Sequence, residues 1–254
     1  SGQIHMRIIH SKLIGFGIAV FAALFCFSGL AAPEIPSYQE ENDMYLSPAV
    51  LLADKKNNKL YVAESTARQI AIIDFNTGSL EDESILLPQD PSGMALSEDK
   101  EPLYVTAGKA KGQVYVVNTK SRKILKTIEA GHSPCSPVVT EERLYVCNQF
   151  ENAVSIVDLP SGRISAQIPV SREPVSSTLT ADGSMLLVAN LLPHQASTDS
   201  QVAASVSVID IAASALNRNI LLPTGTHSLR EIAVSPDGRF AVVSHNIGRY
   251  WAPV

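Results

Sequence analysis

A single module of about 42 residues recurs along most of this chain, and that repetition limits the fold more than any other feature. Short apolar runs return as Leu60-Tyr61-Val62, Leu103-Tyr104-Val105, Leu144-Tyr145-Val146, Leu186-Leu187-Val188 and Ala241-Val242-Val243. A second run follows each of the first four, at Ile70–Asp74, Val114–Asn118, Val154–Asp158 and Val206–Asp210. Units begin at Pro48, Pro91, Pro134, Pro174 and, without proline, Leu229. The unequal spacings reduce to one period once loops are compared. The third unit has a turn two residues short at Thr140–Arg143, the first and second units each gain one residue, and the fourth gains ten between Val188 and Val206 and three before Leu229.

The runs are four to six residues long, β-branched and bounded by turn residues, which suits strands and is too short for helices. Ser235-Pro-Asp-Gly238 and Thr180-Ala-Asp-Gly183 are predicted to turn the first strand into the second. Asp74-x-x-Thr-Gly78 and Asp158-x-x-Ser-Gly162 serve the turn from third to fourth, and Ile124–Ile128 and Ile164–Ile168 read as fourth strands. Four antiparallel strands in about 42 residues is one blade of an all-β propeller. A β-sandwich is the competing architecture, but it has no reason to reiterate one template five times.

Segments such as KLYVAESTARQIAIIDFNTG, RLYVCNQFENAVSIVDLPSG and IAVSPDGRFAVVSHN resemble the YVTN-type propeller repeats of bacterial periplasmic and surface-layer proteins. The resemblance covers residues 48–254 and implies a propeller of four blades and part of a fifth, incomplete at the C-terminus. It implies little about activity, because one fold hosts many functions. Propellers of this kind are found joined to cytochrome c or di-haem peroxidase-like domains, and others resemble amine dehydrogenase heavy chains.

Before the repeats, Met6 is followed by Arg7 and Lys12, an apolar run from Leu13 to Phe27, and small residues through Ala32, which is the pattern of a signal peptide over 6–31. A retained membrane anchor over Leu13–Leu30 is the alternative. Residues 1–5 read as an upstream extension and 32–47 as an N-terminal segment. A periplasmic or extracellular location follows. Beyond residue 31 the chain carries 25 acids against 18 bases, so nucleic acid is not an expected partner. The chain stops 25 residues into the fifth unit, which reads as a fragment of a longer protein.

In a propeller the loops from strand two to three and from strand four to the next blade share one face, while the hairpin turns share the other. The turn face is expected to be short and uniform. The loop face receives the ten-residue insertion, within LLPHQASTDSQVAA, and His132, His194, His227 and His245. Irregular loops on a rigid scaffold commonly carry binding residues. Aligned repeats form columns: Leu46, Gln89, His132, Arg172 and His227 lie two residues before each unit start. Ala49, Ser92, Cys135, Val175 and Arg230 lie one after it, and Glu64, Ala107, Asn148, Asn190 and His245 end the second strands. His132, Arg172, His227 and Arg230, with Asn148, Asn190 and His245, are therefore candidate ligand-binding residues, the arginines offering a planar fork to a small anion. Equally open is a structural role, with Asn and His capping backbone groups and the arginines pairing with Glu173 and Glu231.

Glu64, Asn148, Asn190 and His245 resemble the oxygen-rich axial ring of lactonase propellers, but one carboxylate among amides is a poor cage for a divalent cation, and no metal site is assigned. Cys135 and Cys147 count as nearly opposite across a hairpin, and a disulfide or two buried free thiols remain alternatives. Their spacing is not a Cys-x-x-Cys-His haem attachment, and no nucleophile with its base, phosphate loop or dinucleotide pattern occurs. The expected function is an exported, non-catalytic scaffold that binds a small anionic ligand or a protein partner through the loop face. The alternative is the propeller module of a periplasmic cytochrome c or di-haem oxidoreductase, with no cofactor in this chain and haem c beyond Val254, in a fused or docked cytochrome. A lactonase-like hydrolase is third.

Overall fold

A computed structural model describes residues 46–99 and 101–247, together with the short strand His5–Arg7. The remainder of the expected signal peptide and the last seven residues lie outside the described residues. Four consecutive four-stranded antiparallel sheets and a fifth, three-stranded one make this chain a β-propeller. The first blade holds β2 (Pro48–Asp54), β3 (Lys59–Glu64), β4 (Gln69–Asp74) and β5 (Ile85–Leu86). The second holds β6 (Pro91–Leu96), β7 (Pro102–Ala107), β8 (Gln113–Asn118) and β9 (Ile124–Glu129). In the third are β10 (Pro134–Val139), β11 (Arg143–Asn148), β12 (Ala153–Asp158) and β13 (Arg163–Pro169). The fourth comprises β14 (Pro174–Leu179), β15 (Met185–Asn190), β16 (Ser205–Asp210) and β17 (Ala215–Leu221). The fifth joins β18 (Thr226–Val234) to β19 (Phe240–Ile247), and His5–Arg7, β1, lies parallel to β19.

Period-two alternation in the second strands builds the core. Side chains on opposite faces of one strand enter different blade interfaces. Leu103, Val105 and Ala107 pack with Tyr61, Ile70 and Ile72 of the first blade, whereas Tyr104 joins Leu144 and Val146 of the third. Tyr145 and Cys147 pack with Leu186 and Val188, and Leu187 and Ala189 pack with Leu229, Ile232 and Val243. Each blade interface is thus a separate apolar cluster, and burying one large aliphatic side chain in it is worth about 1.5–3 kcal/mol.

The sequence columns are real neighbours. Pro48 pairs with Glu64, Pro91 with Ala107, Pro134 with Asn148, Pro174 with Asn190 and Leu229 with His245. Just before the unit start, Ser47, Ser133, Glu173 and Ser228 take left-handed φ values of 52–57°, turning the chain into four of the five inner strands. The expected hairpin turns form as read: Gly183 and Gly238 each have φ of 69°, and Gly162 accepts the αL position with φ of 66° while its N–H donates to Asp158 O at 2.7 Å.

Two expectations are corrected. The three residues gained before Leu229 do not form a loop; they lengthen the inner strand, so that Thr226 pairs with Ile247 and His227 with Asn246. The turn face is also not uniform. In the first blade the outer strand is reduced to an isolated bridge, Ile73 with Leu80, and a two-residue pairing at Ile85–Leu86, because the extra residue of that unit interrupts it.

Candidate functional site

The five inner strands line an axial cleft of about 530 Å³ bordered by Ser92, Met94, Ser136, Ser176, Ser177 and Glu231, with aliphatic residues between them. Its wall is stitched across blades by small hydroxyls and a thiol. Ser92 Oγ donates to Pro134 O, Cys135 Sγ donates to Pro174 O at 3.6 Å, and the Ser177 N–H donates to Ser136 Oγ at 2.8 Å. Gly93 sits where two inner strands come closest; a Cβ there would lie 2.5 Å from Pro137 Cδ and 2.8 Å from the Ser136 nitrogen. Glu231 is the one charged side chain among these lining residues, accepting from Ser176 Oγ at 3.0 Å. An anion on the axis would meet a carboxylate, not a cation.

Three further clefts, of about 500, 680 and 740 Å³, open on the hairpin-turn face. The first and last share Glu81, whose carboxylate bridges Lys59 of its own blade and Arg122 of the next. Lys59 also reaches Asp74 at 2.9 Å, and the bonds from Glu81 and Asp74 hold its pKa above the ordinary lysine value. Every charge in that chain is matched, so it fastens the first blade to the second. None of the four clefts is bordered by His132, Arg172, His227 or Arg230.

The candidate residues divide by blade. In the third, the buried Asn148 has both polar atoms partnered: its Oδ1 accepts the Gly131 N–H at 3.2 Å and its Nδ2 donates to Ser155 Oγ at 2.7 Å. A Cβ on Gly131 would fall 2.6 Å from Asn148 Cγ, so the approach depends on glycine there. His132 lies edge-on to Phe150, ring centroids 5.1 Å apart, and its backbone N–H donates to Glu151 Oε1 at 2.9 Å. Asn148 and His132 thus both have partners within or beside the third blade.

In the fourth, Asn190 has the same repeat position and no exposed surface. Its Nδ2 donates to Ser207 Oγ at 3.0 Å and Ser205 O at 2.9 Å, but its Oδ1 has no hydrogen-bond partner. The residue matching Gly131 is Ser171, whose N–H turns to Ser207 Oγ at 3.3 Å. Directly after Asn190 comes the insertion, and its far end is tied to the start of β18: the Gly225 N–H donates to Val202 O at 2.9 Å and the Ala204 N–H to Thr226 O at 2.7 Å. His227 follows at once, sharing a 2.9 Å hydrogen bond between Nδ1 and Ser228 Oγ while its buried Nε2 is unpartnered. Gln195, inside the insertion, likewise has a buried Oε1 without a partner. Arg172 and Arg230 are exposed. Among the described residues neither pairs with Glu173 or Glu231; Glu173 accepts from Gln149 Nε2 at 3.3 Å instead. His245 stands opposite Leu229 and is half-buried.

Gln195 was not a sequence candidate, since a loop glutamine gives no sign of being buried. Among the described residues no three His, Cys, Asp or Glu side chains gather in a way that could hold a metal ion. Cys135 and Cys147 are direct register partners across β10 and β11 and are free thiols in this structure.

No protein-family model matches the chain. A curated relative, antigen Lp49 of Leptospira interrogans, is 26% identical over 210 residues, covering 77% of this chain and 44% of the relative. Hydrazine synthase of Kuenenia stuttgartiensis superposes with a TM-score of 0.73 at 20% identity, over 89% of this chain and 62% of that one. Dihydro-heme d1 dehydrogenase NirN, in complex with DHE, gives a TM-score of 0.59 at 14% identity, over 78% and 44%. The chain spans less than two thirds of the length of each of these proteins. At such identities the two solved structures establish likeness of fold, and that fold is the β-propeller.

Proposed function

We propose that this chain is an exported, non-catalytic YVTN-type propeller that binds a polar ligand or protein partner on its loop face, where the insertion of the fourth blade meets the lengthened inner strand of the fifth. One observation carries the reading. Asn190 Oδ1, Gln195 Oε1 and His227 Nε2 are buried and unpartnered, and they belong to the insertion, to the strand before it and to the strand hydrogen-bonded to its far end. A buried polar atom without a partner costs about 1–3 kcal/mol, and a bound polar group or ordered water recovers it. Arg172 and Arg230, exposed in the same two blades, suit an anionic group on that ligand. A relative named as an antigen accords with export.

The test is an amide-resonance titration of the folded chain with inorganic phosphate and citrate, repeated after deletion of residues 194–200, which removes Gln195 with the exposed residues around it. Saturable shifts at Asn190, Gln195, His227, Arg172 and Arg230 are expected, and their loss in the deletion variant with little change in melting. Shifts confined to the turn face would defeat the reading.

A second reading is favoured by the two structural neighbours, one of them named for a heme substrate: the chain is the propeller module of a haem oxidoreductase. A pyridine haemochrome assay on the full-length gene product separates them. Stoichiometric covalent haem supports the module, and its absence supports the scaffold.

A further inference from the structure

Cys135 and Cys147 stand directly opposite one another in the β10–β11 ladder. Opposed residues of an antiparallel pair point to the same face with Cα atoms about 4.5–5.5 Å apart, inside the span a disulfide bridges. Both belong to the apolar cluster between the third and fourth blades, so their side chains do share that face. A bulge beside Cys135, with Ser136 at φ of 44°, adds local twist. What covers the pair is the fourth blade: Cys135 Sγ lies 3.6 Å from Pro174 O and 3.8 Å from Val175 O. Cys147 has no exposed surface, and Cys135 is half-buried.

We propose that Cys135 and Cys147 form a cross-strand disulfide while the third blade's hairpin is still open, and that docking of the fourth blade then seals it against further exchange. The reaction is ordinary thiol–disulfide exchange with a low-molecular-weight disulfide such as oxidised glutathione. One cysteine thiolate attacks the glutathione disulfide and expels a glutathione thiolate, which takes up the displaced proton. The second cysteine thiolate attacks the mixed disulfide and expels the other, so two protein thiols and one glutathione disulfide become one protein disulfide and two glutathione thiols. Exchange runs through the thiolate, and the folded protein withholds it. Burial pushes the Cys147 pKa up to about 12, and burial, with Cys147 and the Glu231 carboxylate adding to it, raises that of Cys135 well above the ordinary thiol value. The redox state of the pair is therefore set by the compartment in which the chain folds and is afterwards retained.

The test begins with the full chain, denatured and reduced, then refolded in a glutathione redox buffer or in excess dithiothreitol, alkylated and digested with trypsin. Cleavage after Lys126, Arg143 and Arg163 places the two cysteines on separate peptides, 127–143 and 144–163. A linked peptide pair, two hydrogens lighter than its components, is expected from the glutathione sample alone. Folded, oxidised protein should keep that link under dithiothreitol and lose it when urea is added, and protein folded in reductant should stay reduced when moved into oxidised glutathione. Separate alkylated peptides from the glutathione refold overturn the bond. Equal loss of the link with and without urea overturns the seal. If refolding in glutathione precipitates the chain, protein isolated from an oxidising compartment and alkylated before digestion gives the same readout.

Discussion

The third and fourth blades put an asparagine at the same point, the end of the second strand opposite the unit start, yet the two side chains have different fates. Asn148 finds a backbone donor because Gly131 has no Cβ to keep the amide away; Asn190 faces Ser171, whose own N–H is taken by Ser207, and keeps a bare buried oxygen. The histidines two residues before the unit start differ in the same sense, His132 resting on Phe150 and His227 sitting inside a lengthened strand with one nitrogen unpaired. A repeat position therefore sets a residue's place but not its role. Among the described residues the fourth blade and the start of the fifth hold three buried unpartnered atoms, Asn190 Oδ1, Gln195 Oε1 and His227 Nε2, against the Tyr145 hydroxyl alone in the third.

The largest expected effect comes from breaking the satisfied side of this pair. Asn148→Ala strands the Gly131 N–H and the Ser155 hydroxyl and should cost about 2–3 kcal/mol in urea unfolding, whereas Asn190→Ala loses the Nδ2 bonds to Ser205 O and Ser207 Oγ but relieves an unpaired oxygen, and Ser207 Oγ keeps Asn219 and the Ser171 N–H, so it should cost about 1 kcal/mol. Equal losses would end the distinction. Gly131→Ala attacks the same contact from the other side, forcing its Cβ against the Asn148 amide and Glu151, for a loss of about 1–3 kcal/mol and a matching fall in melting temperature.

The smallest effect lies in the hairpin turns. The fourth blade's Asp182 is held below the usual carboxylate range chiefly by the Thr180 hydroxyl, then by the Ser184 N–H and hydroxyl, while the shorter turn of the third blade uses Thr140 and carries no such carboxylate bonding. A folded-state pKa below the unfolded value of about 3.9 means the stabilisation is complete above that pH and is lost as pH falls through the folded pKa. Carboxyl resonances of Asp182 should accordingly titrate at lower pH than those of a solvated aspartate, and Asp182→Asn should flatten the decline in melting temperature between pH 5 and pH 3. An Asp182 that titrates normally would show the turn to be held by its backbone alone.

The period of the apolar runs, the turn residues and the proline-marked starts were enough to reach the blades, and the columns aligned by counting are true register partners. Counting also located the ten-residue insertion, but it could not tell that the three residues before Leu229 extend a strand, because β-pairing with Asn246 and Ile247 depends on a partner twenty residues away. Gln195 and the matched charges of Lys59, Glu81 and Arg122 were illegible for the same reason.

By itself, then, the sequence determined the module, its register and the order of the blades, since these follow from local alternation and turn chemistry that each unit carries within its own forty-odd residues. Only the tertiary structure decided which asparagine is satisfied, which histidine is left with an unpaired nitrogen and that the opposed thiols lie against the next blade. Hydrogen-bond completion depends on angstrom-scale approach between segments distant in the chain, and a single missing or added Cβ, as at Gly131 and Ser171, reverses the outcome.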